Sequence, residues 1–281
     1  MTSRKGATLR SHSEDIVRFD KPPVVEVVAG LGLEGSDPAL GPMMAAFWQS
    51  SLRQQFPNLE LQPPYIIPTE VFEKQGLGPS FQFEVGPAIV FPRLWVSSSD
   101  NQELIQLHPR YFALNWRRVA SGSQYDNWRN RRSKFADTLT EFLNFLDSHG
   151  VPRPRIGQCE VTYINHLRPG LVWTSHEHWS RAFKVRVDGV PYEAERLAFE
   201  AQFVFGAEGG RGRLHIKSGP AFDTAEDSPL YILELTARGT PAEPTSEAAL
   251  SFMDSAREAI DLAFVGITTA EIQNEWGRRT E

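Results

Sequence analysis

The chain is poor in cysteine and has no long apolar run. Cys159 is its one cysteine among 281 residues, so an intrachain disulfide and a zinc site built from several thiolates are both excluded. The first 20 residues lack the apolar run of roughly 7–15 residues that a secretory signal peptide needs. No stretch reaches the roughly 18 apolar residues of a membrane-spanning helix. We therefore predict a cytoplasmic protein that does not enter a membrane.

The chain also lacks an excess of basic charge. Asp and Glu number 35 against 29 Lys and Arg, so the formal net charge is −6. This charge gives no overall attraction to nucleic acid or to an anionic membrane, although a local basic patch can still attract an anion. Hydrophobic residues make up 41% and charged residues 23%, which is the composition of a folded globular protein.

Two halves of the chain follow the same plan. We predict a disordered tail over residues 1–18, an N-terminal α+β module over residues 19–150 and a C-terminal α+β module over residues 151–281. The boundary lies at the proline-containing run Val151-Pro152-Arg153-Pro154. Each module opens with a strand, makes further antiparallel strands and closes with a long amphipathic helix. This plan predicts an α+β fold of two tandem antiparallel-sheet modules in the helix-grip arrangement, similar to the duplicated TATA-binding-protein-like fold.

The spacing of apolar residues places the elements of this plan. Strand-like patterns cover residues 24–33, 93–98, 103–114, 157–167, 197–206, 213–218 and 230–238. Apolar spacings of three and four predict helices over residues 43–56, over residues 128–148 with Gly150 as the cap, and from Ser246 onward with Ser246 as the N-cap. Residues 57–80 contain five prolines and are predicted to be irregular with short strands.

The run Gly30-Leu31-Gly32-Leu33-Glu34-Gly35 matches the GxGxxG pattern of dinucleotide-binding loops. That fingerprint requires a helix to begin at the loop, so that its N-terminus faces the pyrophosphate. Pro38 and Pro42 delay the helix here, and the two leucines continue the alternation of the strand. We predict a bulge or a closely packed strand at these glycines, and no cofactor.

Two other clusters contain residue types that metal ions and catalysis use. His176-Glu177-His178 invites a metal ion, but the HExxH zinc motif is absent. Cys159 and His166 are seven residues apart, so on a regular strand their side chains face opposite sides. We predict a surface cluster in the first case and a buried structural cysteine in the second, with no metal and no catalytic residue.

The segment from Arg110 to Lys134 is rich in arginine and aromatic residues. It holds 7 of the 29 basic residues, with Asp126 as its single acid. Guanidinium groups offer forked donors to phosphate or carboxylate, and aromatic rings stack on bases. Either the segment binds an anionic partner, which would be nucleic acid or an acidic protein surface, or its arginines pair with acids of the second module. The candidate binding residues in it are Asn115, Trp116, Arg117, Arg118, Trp128, Arg129 and Arg132.

Several short motifs are distributed over the chain. They are Phe19-x-x-Pro22-Pro23-Val24-Val25-Glu26-Val27-Val28, Gln106-Leu107, Asn115-Trp116-Arg117, Cys159-Glu160-Val161-Thr162-Tyr163-Ile164-Asn165-His166, Phe264 and Trp276-Gly277-Arg278. As a set they resemble a sporadically distributed family of bacterial proteins, and the resemblance covers nearly the whole chain beyond the tail. The chain departs from that family at Gln124-Tyr125-Asp126, where a Tyr-Pro pair is expected. The resemblance implies no catalytic residue.

Polar residues interrupt the strand predicted over residues 157–167. Tyr163 and Asn165 share one face of that strand, whereas Glu160 and His166 share the other. Together with Arg117, these groups either satisfy one another at the junction of the two modules or line a ligand cleft there.

Two functions remain open from the sequence. The first is a non-enzymatic binding protein, supported by the arginine- and aromatic-rich segment and by the lack of a complete catalytic constellation. The second is an enzyme acting on a phosphate-bearing small molecule in a cleft between the modules. The second requires Arg117, Glu160 and His166 to converge.

Overall fold

The computed structural model of the chain describes residues 17–35, 37–72, 91–119, 123–186, 192, 195–207, 210–224 and 226–279. Its strands are β1 (Arg18–Phe19), β2 (Val24–Glu34), β3 (Asn58–Gln62), β4 (Arg93–Ser97), β5 (Glu103–His108), β6 (Tyr111–Arg117), β7 (Arg155–Leu167), β8 (Phe199–Ala207), β9 (Gly210–Asp223), β10 (Ser228–Gly239) and β11 (Arg278–Arg279). Its helices are α1 (Leu40–Phe47), α2 (Trp128–Ser148), α3 (Trp179–Ala182), α4 (Ser246–Ile267) and α5 (Ala270–Glu275).

Nine of these strands form one antiparallel sheet. Their order is β3-β4-β5-β6-β2-β7-β10-β9-β8, while β1 and β11 form a separate two-stranded ribbon. The first strands of the two halves, β2 and β7, pair with each other, from Val24 opposite Asn165 to Glu34 opposite Arg155. The chain is therefore an α+β protein with a large antiparallel sheet, as predicted, and the sheet is continuous through both halves.

The two faces of this sheet differ in what covers them. On one side, which we call the helix face, Cys159 and Val161 of β7 join the main apolar core beneath α2 and α4. On the other side, the open face, Glu160 and Thr162 contact residues of β10. The alternation predicted for β7 is confirmed, because successive side chains of a strand point to opposite sides of a sheet.

Both long helices bury an apolar stripe on the helix face. The side chain of Asn127 accepts a hydrogen bond from the amide of Asn130 and caps α2, which has the predicted bounds. Within α2, the Phe142 ring packs between Phe47 and Phe112 at centroid distances of 5.3 and 5.4 Å. On α4 the buried residues are Ala249, Phe252, Met253, Ala256, Arg257, Ile260 and Phe264. Each buried phenylalanine stabilises the fold by roughly 1.5–3 kcal/mol.

Several predicted boundaries are wrong, each for a local reason. Residues 103–114 are not one strand, because Pro109 cannot donate a ladder hydrogen bond and the chain turns back there into β6. Thr245, not Ser246, caps α4: its hydroxyl accepts from the amide of Ala248. The first helix begins at Leu40, before the predicted position. It continues as a π-helical turn that ends at Leu52. The short helix α5 was not predicted.

Residues 63–72, which we call the crossing segment, run over the open face of the sheet without regular secondary structure. Tyr65 packs on Tyr111 of β6 at a centroid distance of 5.0 Å, and the amide of Glu70 donates to Gln158 of β7 at 3.1 Å. The irregular chain with a short strand predicted for this region is confirmed up to residue 72. Residues 73–80 of that prediction, and most of the predicted tail, lie outside the described residues.

The glycines of the GxGxxG run lie inside β2, and no helix begins at them. A Cβ atom on Gly30 would lie 3.0 Å from the Tyr111 hydroxyl, so the strand is closely packed there. The pairing register with β7 shifts between Gly32 and Leu33, which is a bulge. Both features agree with the structural role predicted for this run. Among the described residues, no helix is both long and apolar enough to cross a membrane.

Candidate functional site

An open cleft of about 490 Å³ lies on the helix face, where the start of α2 approaches α4 above β7 and β10. We call it the seam cleft. The N-terminal segment from Val17 to Val24 forms one side of it, and α4 forms another. The residues that line it are Val17, Arg18, Phe19, Asp20, Pro22, Pro23, Val24, Gln124, Tyr125, Asp126, Asn127, Arg129, Tyr163, Asn165, Leu235, Arg257, Ile260, Asp261, Phe264 and Arg279.

The floor of the seam cleft is polar although it is almost wholly buried. The hydroxyl of Tyr163 lies 2.8 Å from that of Tyr125 and accepts a hydrogen bond from Arg257 Nε at 3.3 Å. Arg257 also forms an ion pair with Asp261, one helical turn away on α4. Because Arg257 is only 6% exposed, its charge depends on these partners for solvation.

Apolar rings and an amide complete the walls. Phe19 of β1 meets Phe264 of α4 edge to face at 5.6 Å, and Trp276 stacks on Phe264 at 5.4 Å. Asn165, only 3% exposed, donates to the carbonyl of Leu233 on the neighbouring strand at 3.1 Å. The cleft therefore places an apolar wall beside a hydrogen-bonding floor.

Among the described residues, four arginines and three aspartates line the seam cleft, so arginines are in excess there. The arginines are Arg18, Arg129, Arg257 and Arg279. Each aspartate pairs with an arginine: Asp20 with Arg279 at 2.6 Å, Asp261 with Arg257, and Asp126 with Arg131 at 3.0 Å. The last of these partners, Arg131, lies outside the lining.

Burial also changes the pKa of Tyr163 on the floor of the cleft. It raises the pKa of Tyr163 to about 12 from an ordinary value of 10.0, an effect that the Arg257 charge opposes and the Asp261 charge reinforces. The phenol therefore stays neutral over the physiological range and can both donate and accept a hydrogen bond.

Replacing Tyr163 by phenylalanine is expected to reduce the loss of stability between pH 10 and pH 12. The folded protein holds the Tyr163 phenol neutral up to a pKa of about 12, whereas the unfolded chain ionises it near 10.0. The stabilisation from this group is complete below the lower value and is lost as the pH rises to the higher one. The loss amounts to roughly 2–3 kcal/mol, measured by urea unfolding across this pH range.

The control for this measurement is Tyr192→Phe, because the Tyr192 side chain is 82% exposed. That variant is expected to lose stability with pH in parallel with the wild-type protein. If Tyr163→Phe also followed the wild-type curve, the buried phenol would not be a source of the alkaline transition.

Three of the candidate binding residues from the sequence line the seam cleft. They are Arg129, Tyr163 and Asn165. Trp116 lies just behind it, with its ring edge to face with Tyr125 at 5.4 Å. These residues come from α2, β6 and β7, so the structure brings the arginine-rich segment and the polar strand together at this place.

The other basic residues of the segment 110–134 largely pair within the chain. Arg132 donates from Nε to both carboxylate oxygens of Asp254 on α4, which also accepts from the Trp128 indole at 2.8 Å. Arg131 and Lys134 share Glu103 as an ion-pair partner. The predicted alternative, in which arginines pair with acids of the second module, is confirmed for Arg132.

The remaining candidates lie on or near the open face, opposite the cleft. Asn115 donates to Glu26 at 2.6 Å, and Arg118 donates to the carbonyl of Pro22 at 2.9 Å. Arg117 lies over the Trp95 ring at 5.9 Å, and Glu26 of β2 separates it from Ile164 of β7.

Glu160 and His166 are on the same face of β7 but well separated. Six residues of strand place them about 20 Å apart. Glu160 pairs with Arg238 at 2.6 Å beneath the crossing segment, whereas burial and the charge of Arg168 lower the pKa of His166. The three side chains required by the enzyme hypothesis, these two and Arg117, do not enter the seam cleft.

Neither of the other chemical motifs forms a reactive site within the described residues. His176 contacts the carbonyl of Leu230 at 3.2 Å, and His178 contacts the Thr174 hydroxyl at 3.2 Å. No group of three or more metal-ligating side chains occurs in the part of the chain that the structure describes. Cys159 is buried, and burial raises the pKa of its thiol.

Sequence reasoning missed Arg257 and Asp261. The available signal was a charged residue directly after Ala256, which lies in the buried stripe of α4. Such a residue indicates a partner nearby, because charged side chains are rarely buried without one. The chain matches no protein-family model, and neither a curated protein nor a solved structure shows detectable similarity to it, so the functional argument depends on this geometry.

Proposed function

We propose that this chain is a non-enzymatic binding protein that holds a small amphipathic anion in the seam cleft. The observation that carries the proposal is the polar, buried floor formed by Tyr163, Asn165 and Arg257 beneath an open cleft. Ligand sites in proteins are concave, of roughly 300–1,000 Å³, and combine apolar walls with a few placed polar groups. The seam cleft, at about 490 Å³, meets each of these conditions.

The excess of arginine supports an anionic ligand. Arg18, Arg129, Arg257 and Arg279 line the cleft, against three aspartates among its described lining residues. A guanidinium group binds carboxylate or phosphate through paired donors. The rings of Phe19 and Phe264 offer an apolar contact for the rest of the ligand.

The lining favours binding over catalysis. Among the described residues that line the cleft there is no serine, cysteine, lysine or histidine. Its three carboxylates each form an ion pair with an arginine, which occupies their oxygens and opposes a role as a general base. The cleft thus offers hydrogen-bond donors and an apolar wall without an activated nucleophile.

We further propose that the chain is a tandem of two helix-grip units and a member of the bacterial family that its motifs resemble. Strand order supports the tandem: the sheet reads outward from the central β2–β7 pair as β6-β5-β4-β3 on one side and β10-β9-β8 on the other. Each half also ends in a long helix on the helix face, of 21 residues in α2 and 22 in α4.

Titration with phenylacetate, octanoate and phenyl phosphate, followed by NMR of the labelled full-length chain, tests the ligand proposal. At least one of these anions is expected to bind saturably at millimolar concentration, with shifts confined to the seam cleft. The neutral phenylacetamide is expected to bind at least tenfold more weakly, because it lacks the charge that the arginines recognise.

Variants test whether the anion binds in the seam cleft or elsewhere on the protein surface. Arg129→Gln and Tyr163→Phe are each expected to weaken binding about tenfold, which corresponds to about 1.4 kcal/mol. Arg155→Gln is the control, since Arg155 pairs with the exposed Glu34 outside the cleft. The proposal is overturned if none of the three anions binds, or if the control weakens binding as much as the two cleft variants do.

A further inference from the structure

A carboxylate of the crossing segment is held by three basic side chains on the open face of the sheet. Glu70, whose side chain is 5% exposed, forms an ion pair with Arg213 of β9. Its second oxygen lies 2.6 Å from His215 Nε2 and 3.5 Å from Arg238 Nη1 of β10. A carboxylate with this many basic neighbours resembles a bound anion more than a surface ion pair.

The sheet positions the backbone of the three basic residues, while the side chains of Arg213 and His215 contact the crossing segment. Arg213 stands opposite Arg238 in the β9–β10 ladder, and His215 lies two residues further along β9 on the same face. Arg238 is also held by Glu160 on the next strand, at 2.6 Å. Backbone ladders on both sides fix these strands, so the three residues lie side by side on the open face independently of the crossing segment.

The positive charge of Arg213 and Arg238 favours the binding of an anion between them. Without Glu70, Arg238 would keep its ion pair with Glu160, whereas Arg213 would have no ion-pair partner among the described residues. Uncompensated charge with little exposure is costly, so an anion from another source would stabilise the site. Burial raises the pKa of Glu70, but His215 and Arg213 more than offset this effect and leave its pKa below the ordinary value. The site therefore favours the anionic form of whatever occupies it.

The crossing segment is held by polar contacts around this site, by a small apolar cluster and by Arg213 over the Phe72 ring, 4.8 Å from its centroid. Gln158 accepts from the Glu70 amide at 3.1 Å and donates to the Pro68 carbonyl at 2.6 Å. Arg213 donates to the Val71 carbonyl at 3.1 Å. The buried apolar contribution of residues 63–72 is Ile67, which packs with Val28, Tyr111 and Ala113 beside the partly buried Tyr65. An external anion thus competes with one carboxylate and a few hydrogen bonds.

We propose that Arg213, His215 and Arg238 form a second binding site, for a carboxylate or phosphate group, which the chain's own Glu70 occupies as an internal competitor. The site lies on the opposite side of the sheet from the seam cleft and is independent of it. It accepts an external anion when the Glu70 side chain is withdrawn. Effective concentrations of tethered groups are in the millimolar range or higher, so the internal carboxylate masks weak ligands in the wild-type protein.

Removing the internal competitor tests this proposal in the full-length chain. In Glu70→Ala, sodium phosphate or sodium acetate is expected to bind at least tenfold more tightly than in the wild-type protein, measured by calorimetry and by thermal unfolding at constant ionic strength. Acetate alone would define a carboxylate site and phosphate alone a phosphate site, and either result supports the proposal. The control is Glu60→Ala on β3, because Glu60 is exposed and lies outside the donor set.

Two further variants keep the outcome interpretable. Glu70→Ala combined with Arg213→Gln is expected to lose the gained affinity, because one guanidinium donor is removed. If Glu70→Ala does not fold in the absence of anion, Glu70→Gln retains the shape of the side chain, and its anion affinity is expected to exceed that of the wild-type protein by a smaller factor. The proposal is overturned if neither Glu70 variant binds phosphate or acetate more tightly than the wild-type protein and Glu60→Ala.

Discussion

Replacing Arg238 by methionine is expected to destabilise the fold by about 3–5 kcal/mol, because the change leaves a buried carboxylate without its partner. Glu160 is 4% exposed and accepts from Arg238 Nε at 2.6 Å on the adjacent strand. Methionine preserves the apolar stem of the arginine, so the loss reports the charge and its hydrogen bonds rather than a cavity. Urea unfolding at neutral pH, with circular dichroism as the signal, measures it.

The pH dependence of this loss identifies the carboxylate as its cause. Burial raises the pKa of Glu160 above its ordinary 4.5, Arg238 lowers it, and the nearby Glu234 raises it again. Without Arg238 the pKa rises further, so the variant is stable while Glu160 is protonated and loses stability as the pH increases. The difference from the wild-type protein is therefore expected to be smaller at pH 5 than at pH 8.

A double variant provides the control for the same pair. Glu160→Gln together with Arg238→Met removes both charges and is expected to recover a large part of the stability. Removing both members of a buried ion pair destabilises a protein far less than removing one member and leaving the other charge unpaired. Other groups near Glu160, which include Glu234, His215, Tyr111 and Tyr65, are unchanged in this variant. A deficit in the single variant that is equal at pH 5 and pH 8 would contradict this account.

The order of the elements followed from the sequence because their periodicity is strong. The stripe Phe135, Leu139, Phe142 and Leu146 recurs at spacings of three and four, and the predicted range of α2 agrees with the structure at both ends. Alternation along β7 assigned each side chain to its face. Turns were harder to predict. The hairpin at Pro109 and Arg110 is so tight that the apolar residues on its two sides form a run with the pattern of a single strand.

The sites could be predicted only in part, because they depend on pairings between distant residues. The contact of Arg132 with Asp254 joins positions 122 residues apart, and no local pattern encodes it. Tyr163 and Asn165 could be identified, since polar groups within an apolar strand need partners. Glu70 could not be identified, because it lies in a proline-rich stretch where no periodicity assigns a side chain to a face.

The same reasoning explains why the arginine-rich segment pointed towards a site without defining it. The sequence shows how many charged residues lie between positions 110 and 134. It does not show that Glu103, Asp126 and Asp254 pair with basic residues of this segment. Of the arginines in this segment, Arg129 lines the seam cleft. Net charge therefore describes the whole surface, whereas the ligand class follows from the few groups that face one cavity.

Replacing Gly239 by alanine is expected to destabilise the fold by about 2–3 kcal/mol through overpacking. Gly239 ends β10 opposite Cys159 and Gly212, and a Cβ added to it would point towards Phe252 of α4. An added Cβ would lie 2.6 Å from the carbonyl oxygen of Arg211 and 2.7 Å from the buried ring of Phe252. The carbonyl belongs to a strand backbone and cannot move without breaking the ladder, so the helix or the strand must shift. Urea unfolding at neutral pH measures the loss.

Gly206→Ala is the control for this prediction, because Gly206 also lies in a strand but has nothing within 4 Å of an added Cβ. That change is expected to alter the stability by less than about 0.5 kcal/mol. Combining Gly239→Ala with Phe252→Leu is expected to cost less than the sum of the two single changes, because the smaller side chain makes room for the methyl group. Additive costs, or an equal loss in the Gly206 variant, would mean that α4 does not pack against the end of β10 as closely as these distances require.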